Sequence, residues 1–266
     1  MGNIRNFLES VKVYDCLNLV KIRIGNSYDG GYVAYKEICE ETKHVYCFGI
    51  GNDVGFELDW VKRFPNSNIE LFDPLIDGIP EEHKRFTFHR YGIGGKYNAG
   101  IFEDVERNSL LKLDIEWDEW STLLNMEQDK LEKFSQILVE FHIIHATVDH
   151  VNLSPYFSNI YQEVINKINQ DLFAMYYSVM QRLSNHYRLF HIHANNSLPM
   201  IFVNNYRFPP LLEMSFIRKD LVGTYCLTMT SFPIIGLDYP NKTDRPDITD
   251  FYPLWRWNAG KIETNT

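Results

Sequence analysis

A succession of short apolar runs constrains the fold of this chain more than any other feature. "HVYCFGI" (44–50), "NIELFDP" (68–74), "FTFHRYGI" (86–93), "SLLKLDIE" (109–116), "SQILVEFH" (135–142) and "YRLFHIHA" (187–194) each close on polar or glycine residues, and "PPLLEMSFIRKD" predicts a further strand at about 212–218. Several are apolar throughout rather than alternating, as strands buried on both faces of a parallel sheet must be. Helical patterns stand between them. One helix is expected at about 4–11, and "GFELDWVKRFPNS" places Phe56, Trp60, Val61 and Phe64 on one face before Pro65 stops it. From about 159 to 185, apolar residues return at helical spacing through Ile160, Val164, Ile168, Leu172, Met175, Val179 and Leu183. Strands alternating with helices predict a doubly wound α/β fold with a mostly parallel sheet.

At 266 residues, 45% of them hydrophobic, the chain is long enough for one domain with its own core. There is no internal repeat or linker. The expected layout is an N-terminal helix and Asp-Gly-Gly-Tyr segment (1–43), a main domain (44–235) and an irregular Pro-, Asp- and Asn-rich tail (236–266). No stretch approaches the roughly 20 apolar residues of a membrane helix, so no span is expected. The N-terminus lacks a signal-peptide profile, and Asn6 stands where myristoylation wants Ser or Thr. Cys16, Cys39, Cys47 and Cys226 are scattered without a C-x-x-C pair, and Cys47 reads as a buried free thiol. That suits a reducing compartment and a cytoplasmic location, in which the sequons at Asn152, Asn195 and Asn241 carry no meaning. The net charge of −9 and the lack of a Lys/Arg block argue against a nucleic-acid partner and favour a small-molecule or glycan partner.

"YCFGIGNDVGFE" joins a strand to a helix through Gly49 and Gly51, where a Cβ would obstruct a ligand beside the backbone. The dinucleotide pattern would want its third glycine at Val54, whereas Gly55 comes one position late, which counts against NAD. Asp73 ends the second strand, where an acid is placed to accept hydrogen bonds from a ribose diol. Alone, the glycines read as an ordinary turn and Asp73 as a helix cap. In this order they point to a cofactor site.

Three later strand ends carry polar pairs two residues apart, hence on one side of their strand: Asp114 with Glu116, Glu140 with His142, and His191 with His193, followed by Asn195 and Asn196. Two chemistries fit. Asp114, Glu140 and His142 suit a divalent cation, Mg or Mn, that positions hydroxyls. Alternatively His142 or His193 acts as general base, with Glu116 and Glu140 beside it. Asp118 and Glu119 with Trp120 read instead as the start of a helix, whose dipole favours acids there. The aromatics Trp117, Trp120, Tyr156, Phe157 and Tyr206 are expected mainly in core packing.

"CFGIGNDVGFE", "ELFDP", "KLDIEWDEW" and "LVEFH" together resemble the motif series of S-adenosylmethionine-dependent methyltransferases, in particular the FkbM-like O-methyltransferase group, over about residues 20–220. The resemblance implies the seven-stranded class I methyltransferase fold. It implies a methyl donor beside Gly49, Gly51 and Asp73, with Asp53, Glu57 and Asp114 also on the donor side. It also makes "RIGNSYDGGYV", with Asp29, Gly30 and Gly31, a lid over the methionine end of that donor. The implied activity is methylation of a hydroxyl on a sugar or similar small polar acceptor. One departure stands out: Trp117 occupies the position where the group has glycine. A Rossmann-type NAD or nucleotide-sugar enzyme and a non-catalytic cofactor-binding module are the rival readings.

Overall fold

The computed structural model describes residues 2–94, 99–143, 155–203, 206–249 and 262–264. The central sheet has seven strands: β1 (His44–Phe48), β2 (Asn68–Phe72), β3 (Phe86–His89), β4 (Ser109–Leu113), β5 (Phe134–His142), β6 (Tyr187–Ala194) and β7 (Leu211–Arg218). They lie in the order β3-β2-β1-β4-β5-β7-β6. Pairing is parallel from β3 to β5, whereas β7 runs antiparallel to both β5 and β6. All the expected strands are present, in the doubly wound, mostly parallel fold that their spacing predicted. The order turns outward in both directions from the β1/β4 boundary. In an open α/β sheet that switch point is where a crevice opens beyond the strands' carboxyl ends.

Among the described residues six α-helices accompany the strands: α1 (Gly2–Ser10), α2 (Lys36–Glu41), α3 (Gly55–Arg63), α4 (Glu119–Asn125), α5 (Gln128–Leu131) and α6 (Pro155–His186). On α3, Phe56, Trp60 and Val61 are buried as their spacing requires, and Phe64 is buried just past its end. Burying a side chain such as Phe56 contributes about 2 kcal/mol. On α6 the described buried face runs through Phe173, Tyr176, Val179, Met180 and Leu183. Leu172 and Met175 sit at its margin, and the side chains of Ile160, Val164 and Ile168 lie outside the described residues. The aromatic residues set this helix's orientation, because Phe7, Trp120, Phe173, Tyr176 and Phe208 interlock across its contact with α1 and α4.

The two faces of the sheet differ. One face packs Phe48, Phe72, Leu111, Leu113, Val139 and Phe141 into the large core under α1, α4 and α6. The other is apolar beneath α3, but turns polar towards β7 through Lys112, Asp114, Glu140, Glu213 and His193. A hairpin of Lys21–Ile24 and Tyr32–Tyr35 lies over this polar face, with the Tyr35 N–H donating to Gln136 and the Tyr32 hydroxyl donating to Asp114.

Two expectations need correction. β4 ends at Leu113, so strand alternation does not set the relation of Asp114 to Glu116. Glu116 and Trp117 instead take φ +52° and +89° in a tight left-handed turn before α4. In the tail, Ile262–Thr264 forms a strand against Thr224–Leu227, which pairs in turn with Tyr14–Cys16. Three residues are too few for alternation to reveal such a strand.

Candidate functional site

The glycine loop opens the site. Gly49 has φ +77°, and a Cβ there would sit 1.6 Å from the Asp114 carbonyl oxygen, so only glycine lets β1 and β4 end this close together. Asp73 clamps the same loop: its Oδ2 accepts the N–H groups of Ile50 (3.0 Å) and Gly51 (2.8 Å), and its Oδ1 accepts that of Leu75 (2.8 Å). Burial would raise the Asp73 pKa, but these backbone donors hold its carboxyl below the ordinary range. Asp53 accepts from the Gly55 N–H at the start of α3 and from Asn26 in the hairpin loop, tying the two loops together.

Beside this loop is a cavity of about 260 Å³ lined by Asp29, Gly30, Gly49, Ile50, Asn52, Asp53, Phe56, Glu57, Lys112 and Asp114. It brings together six of the residues expected around a donor. Gly31, Gly51 and Asp73 adjoin the lining residues without lining the cavity themselves. Lys112 was missed as a site residue because, read alone, it is one polar position in an apolar strand. It is buried opposite Glu57, with the rings of Tyr32 and Phe56 5.4 and 5.7 Å from its ammonium. Burial would lower its pKa, but Glu57 and other nearby groups carry it to about 12, so the ammonium stays charged.

A second group forms where the β4–α4 turn meets the end of β5. His142 Nδ1 lies 2.9 Å from Glu119 Oε1, and His142 Nε2 lies 3.3 Å from Glu116 Oε2. Glu119 is wholly buried and also accepts the Ile115 N–H, while its Oε2 has no hydrogen-bond partner among the described residues. Burial would lower the His142 pKa, but Glu119, Asp114 and Glu116 outweigh it and raise the pKa above the ordinary imidazole value. For Asp114 the order reverses: burial dominates and lifts its carboxyl to about 6. Glu119 opens α4 as its spacing suggested, yet its side chain turns back to hold a histidine. Only the left-handed turn at Glu116 and Trp117 makes that return possible. The Trp117 ring lies 5.5 Å from that of His142 and is 44% exposed, so the indole borders the His142 side of the site.

The third group is a row across three strands. Sheet register sets Glu140 beside Glu213 and Glu213 beside His193. His193 Nδ1 meets Glu213 at 3.0 Å and its Nε2 meets Asp247 at 3.1 Å. Burial opposes its protonation, but Glu213 and Asp247 carry its pKa to about 10. With no exposed surface and both ring nitrogens engaged, His193 does not present a free nitrogen of the kind the expected base would use. Burial, reinforced by Asp114, Glu213 and Asp29, raises the Glu140 pKa well above its ordinary value, and Asn195 donates to this carboxyl at 2.7 Å. Asn241 joins Asp29 (3.0 Å) to Glu213 (2.6 Å). His191 pairs with Asp238 two positions deeper, and Asn196 holds the backbone of Lys242, Arg245 and Pro246.

The expected cation set of Asp114, Glu140 and His142 is therefore not assembled. Among the described residues, Asp114, Glu119 and His142 bring ligand-capable atoms within 4.8 Å of one another, and Asp29, Glu140 and Glu213 form a separate group. Glu140 lies two residues before His142 and is in register with Glu213 of β7. No described helix is long and apolar enough to cross a membrane.

No family model matches the chain, and no curated protein matches it. Similar solved structures include the mitomycin 7-O-methyltransferase MmcR (11% identity, TM-score 0.30, 67% of this chain and 50% of that one). They also include the plantazolicin methyltransferase BpumL in complex with SAH (10%, 0.31, 68% and 83%). A third is the 16S rRNA (adenine(1408)-N(1))-methyltransferase of Catenulisporales acidiphilia (7%, 0.29, 75% and 98%). The chain spans half the length of the MmcR chain it matches. Likeness this slight carries no argument about chemistry; the fold rests on the strand order itself.

Proposed function

We propose that this chain is an S-adenosylmethionine-dependent O-methyltransferase acting on a hydroxyl of a small polar acceptor such as a sugar. The observation that carries this reading is the placement of His142. A histidine oriented by a buried glutamate stands at the carboxyl end of β5, beside the strand whose end forms the wall of the glycine-loop cavity. The residues fit the cofactor: the close backbone approach at Gly49 leaves the loop without a side chain, and the charged lining suits a ligand bearing both charges.

When bound, S-adenosylmethionine supplies a methyl group already activated on a sulfonium, so alignment and proton removal are the protein's main tasks. His142 Nε2 takes the acceptor hydroxyl's proton, while Glu119 holds Nδ1–H and stabilises the imidazolium that results. Exposed Glu116 and Trp117 border the acceptor. Asp73 acts through the loop it holds, and Asp29, Gly30 and Gly31 close the hairpin side.

Calorimetric titration tests the cofactor. S-adenosylhomocysteine binds, NAD does not, and Gly49→Ala abolishes binding because its Cβ collides with the Asp114 backbone. Absence of S-adenosylhomocysteine binding by the full chain overturns the reading. Labelled methyl transfer to a sugar panel, with and without chelator, identifies the acceptor and distinguishes base catalysis from cation assistance.

A further inference from the structure

Lys112 and Glu57 are both deeply buried, yet they do not satisfy one another. Their closest atoms are 3.6 Å apart, beyond the roughly 2.7–2.9 Å of a charge-assisted hydrogen bond. Among the described residues, Lys112 Nζ has no hydrogen-bond partner. The Tyr32 and Phe56 rings favour its charge but offer its three donors no acceptor with direction. Among the described residues, both buried Glu57 oxygens have no nitrogen or oxygen donor within hydrogen-bond distance, and beside them lies the weakly donating Cys47 thiol. Leaving buried charged groups without close hydrogen bonds is costly. Both residues line the cavity at the glycine loop, as does Asp114.

An ammonium and carboxylates a few ångströms apart at one cavity match a ligand whose own carboxylate and ammonium are attached to one carbon. We propose that Lys112 binds the α-carboxylate, and Glu57 with Asp114 the α-ammonium, of the methionine part of the cofactor. This assignment rests on the cofactor reading above. It makes the amino-acid head the main determinant of binding and gives the lysine in "KLDIE" a ligand-binding role that its strand position does not suggest.

Titration of the full chain with three ligands tests it: S-adenosylhomocysteine, its analogue lacking only the carboxylate, and 5′-methylthioadenosine, which lacks the whole head. Wild type binds S-adenosylhomocysteine at least about 30-fold more tightly than either of the others, the worth of one or two charged hydrogen bonds. Lys112→Met erases the preference for the carboxylate and leaves 5′-methylthioadenosine within about twofold. Glu57→Gln lowers affinity for both amine-bearing ligands and spares 5′-methylthioadenosine. Equal wild-type affinity for all three overturns the inference while leaving the cofactor reading intact, and needs no variant. Equal loss of all three in Lys112→Met also overturns it. Failure of wild type to bind any of them overturns the cofactor reading itself.

Discussion

At Trp117 the backbone takes φ +89°, a region where glycine is at ease and an L side chain is strained. The resemblance expected glycine here, and the geometry explains that expectation: the turn folds α4 back so that Glu119 can reach His142. Trp117→Gly should relieve the strain at some cost in unfolded-chain entropy. The expected net gain is about 1 kcal/mol, seen as a melting temperature about 2–4 °C higher. The same variant removes the ring beside His142, so acceptor KM should rise. Glu119→Gln tests the other end of the turn. His142 must be neutral to accept a proton, so activity rises with pH through its raised pKa. Without the glutamate that rise moves to lower pH, and kcat falls on the order of 100-fold as the imidazole loses its orientation. A pH–rate profile of both proteins checks this.

The polar pairs at the strand ends were legible as residues but not as partners. Alternation places Glu140 and His142 on one side of β5, and both are there. Which neighbour each meets depends on register, and register is set by strands far apart in the chain. Hence Glu140 joins Glu213 and His193, whereas His142 joins Glu119. The row has a measurable consequence. His193 has a folded pKa near 10 against an ordinary 6.5, so its contribution to stability is complete below about pH 6.5. That contribution is lost as pH rises from there through about 10. Denaturant unfolding at pH 6, 8 and 10 should show the decline, and His193→Gln should flatten this part of it.

For the molecule as a whole, the polar face of the sheet is sealed by segments distant in sequence: the hairpin loop with Asp29, and the tail with Asp238, Asn241 and Asp247. Asn241 is the junction, bonding Asp29 and Glu213 at once. Asn241→Leu leaves both carboxylates without that donor and should cost about 2 kcal/mol, or about 4–8 °C in melting temperature. It should also speed proteolysis of the 236–249 segment. The sequence by itself determined the strands, their alternation with helices and the glycine turn with its acid, because these follow from local periodicity and backbone sterics. It also marked Asp114, Glu140 and His142 as unusual, because charge in apolar runs needs a partner. Only the tertiary structure decided the partners: Glu119 for His142, and the tail's acids for the buried histidines. Those choices depend on strand order, register and a left-handed turn, through which residues scattered along the chain come within hydrogen-bonding reach.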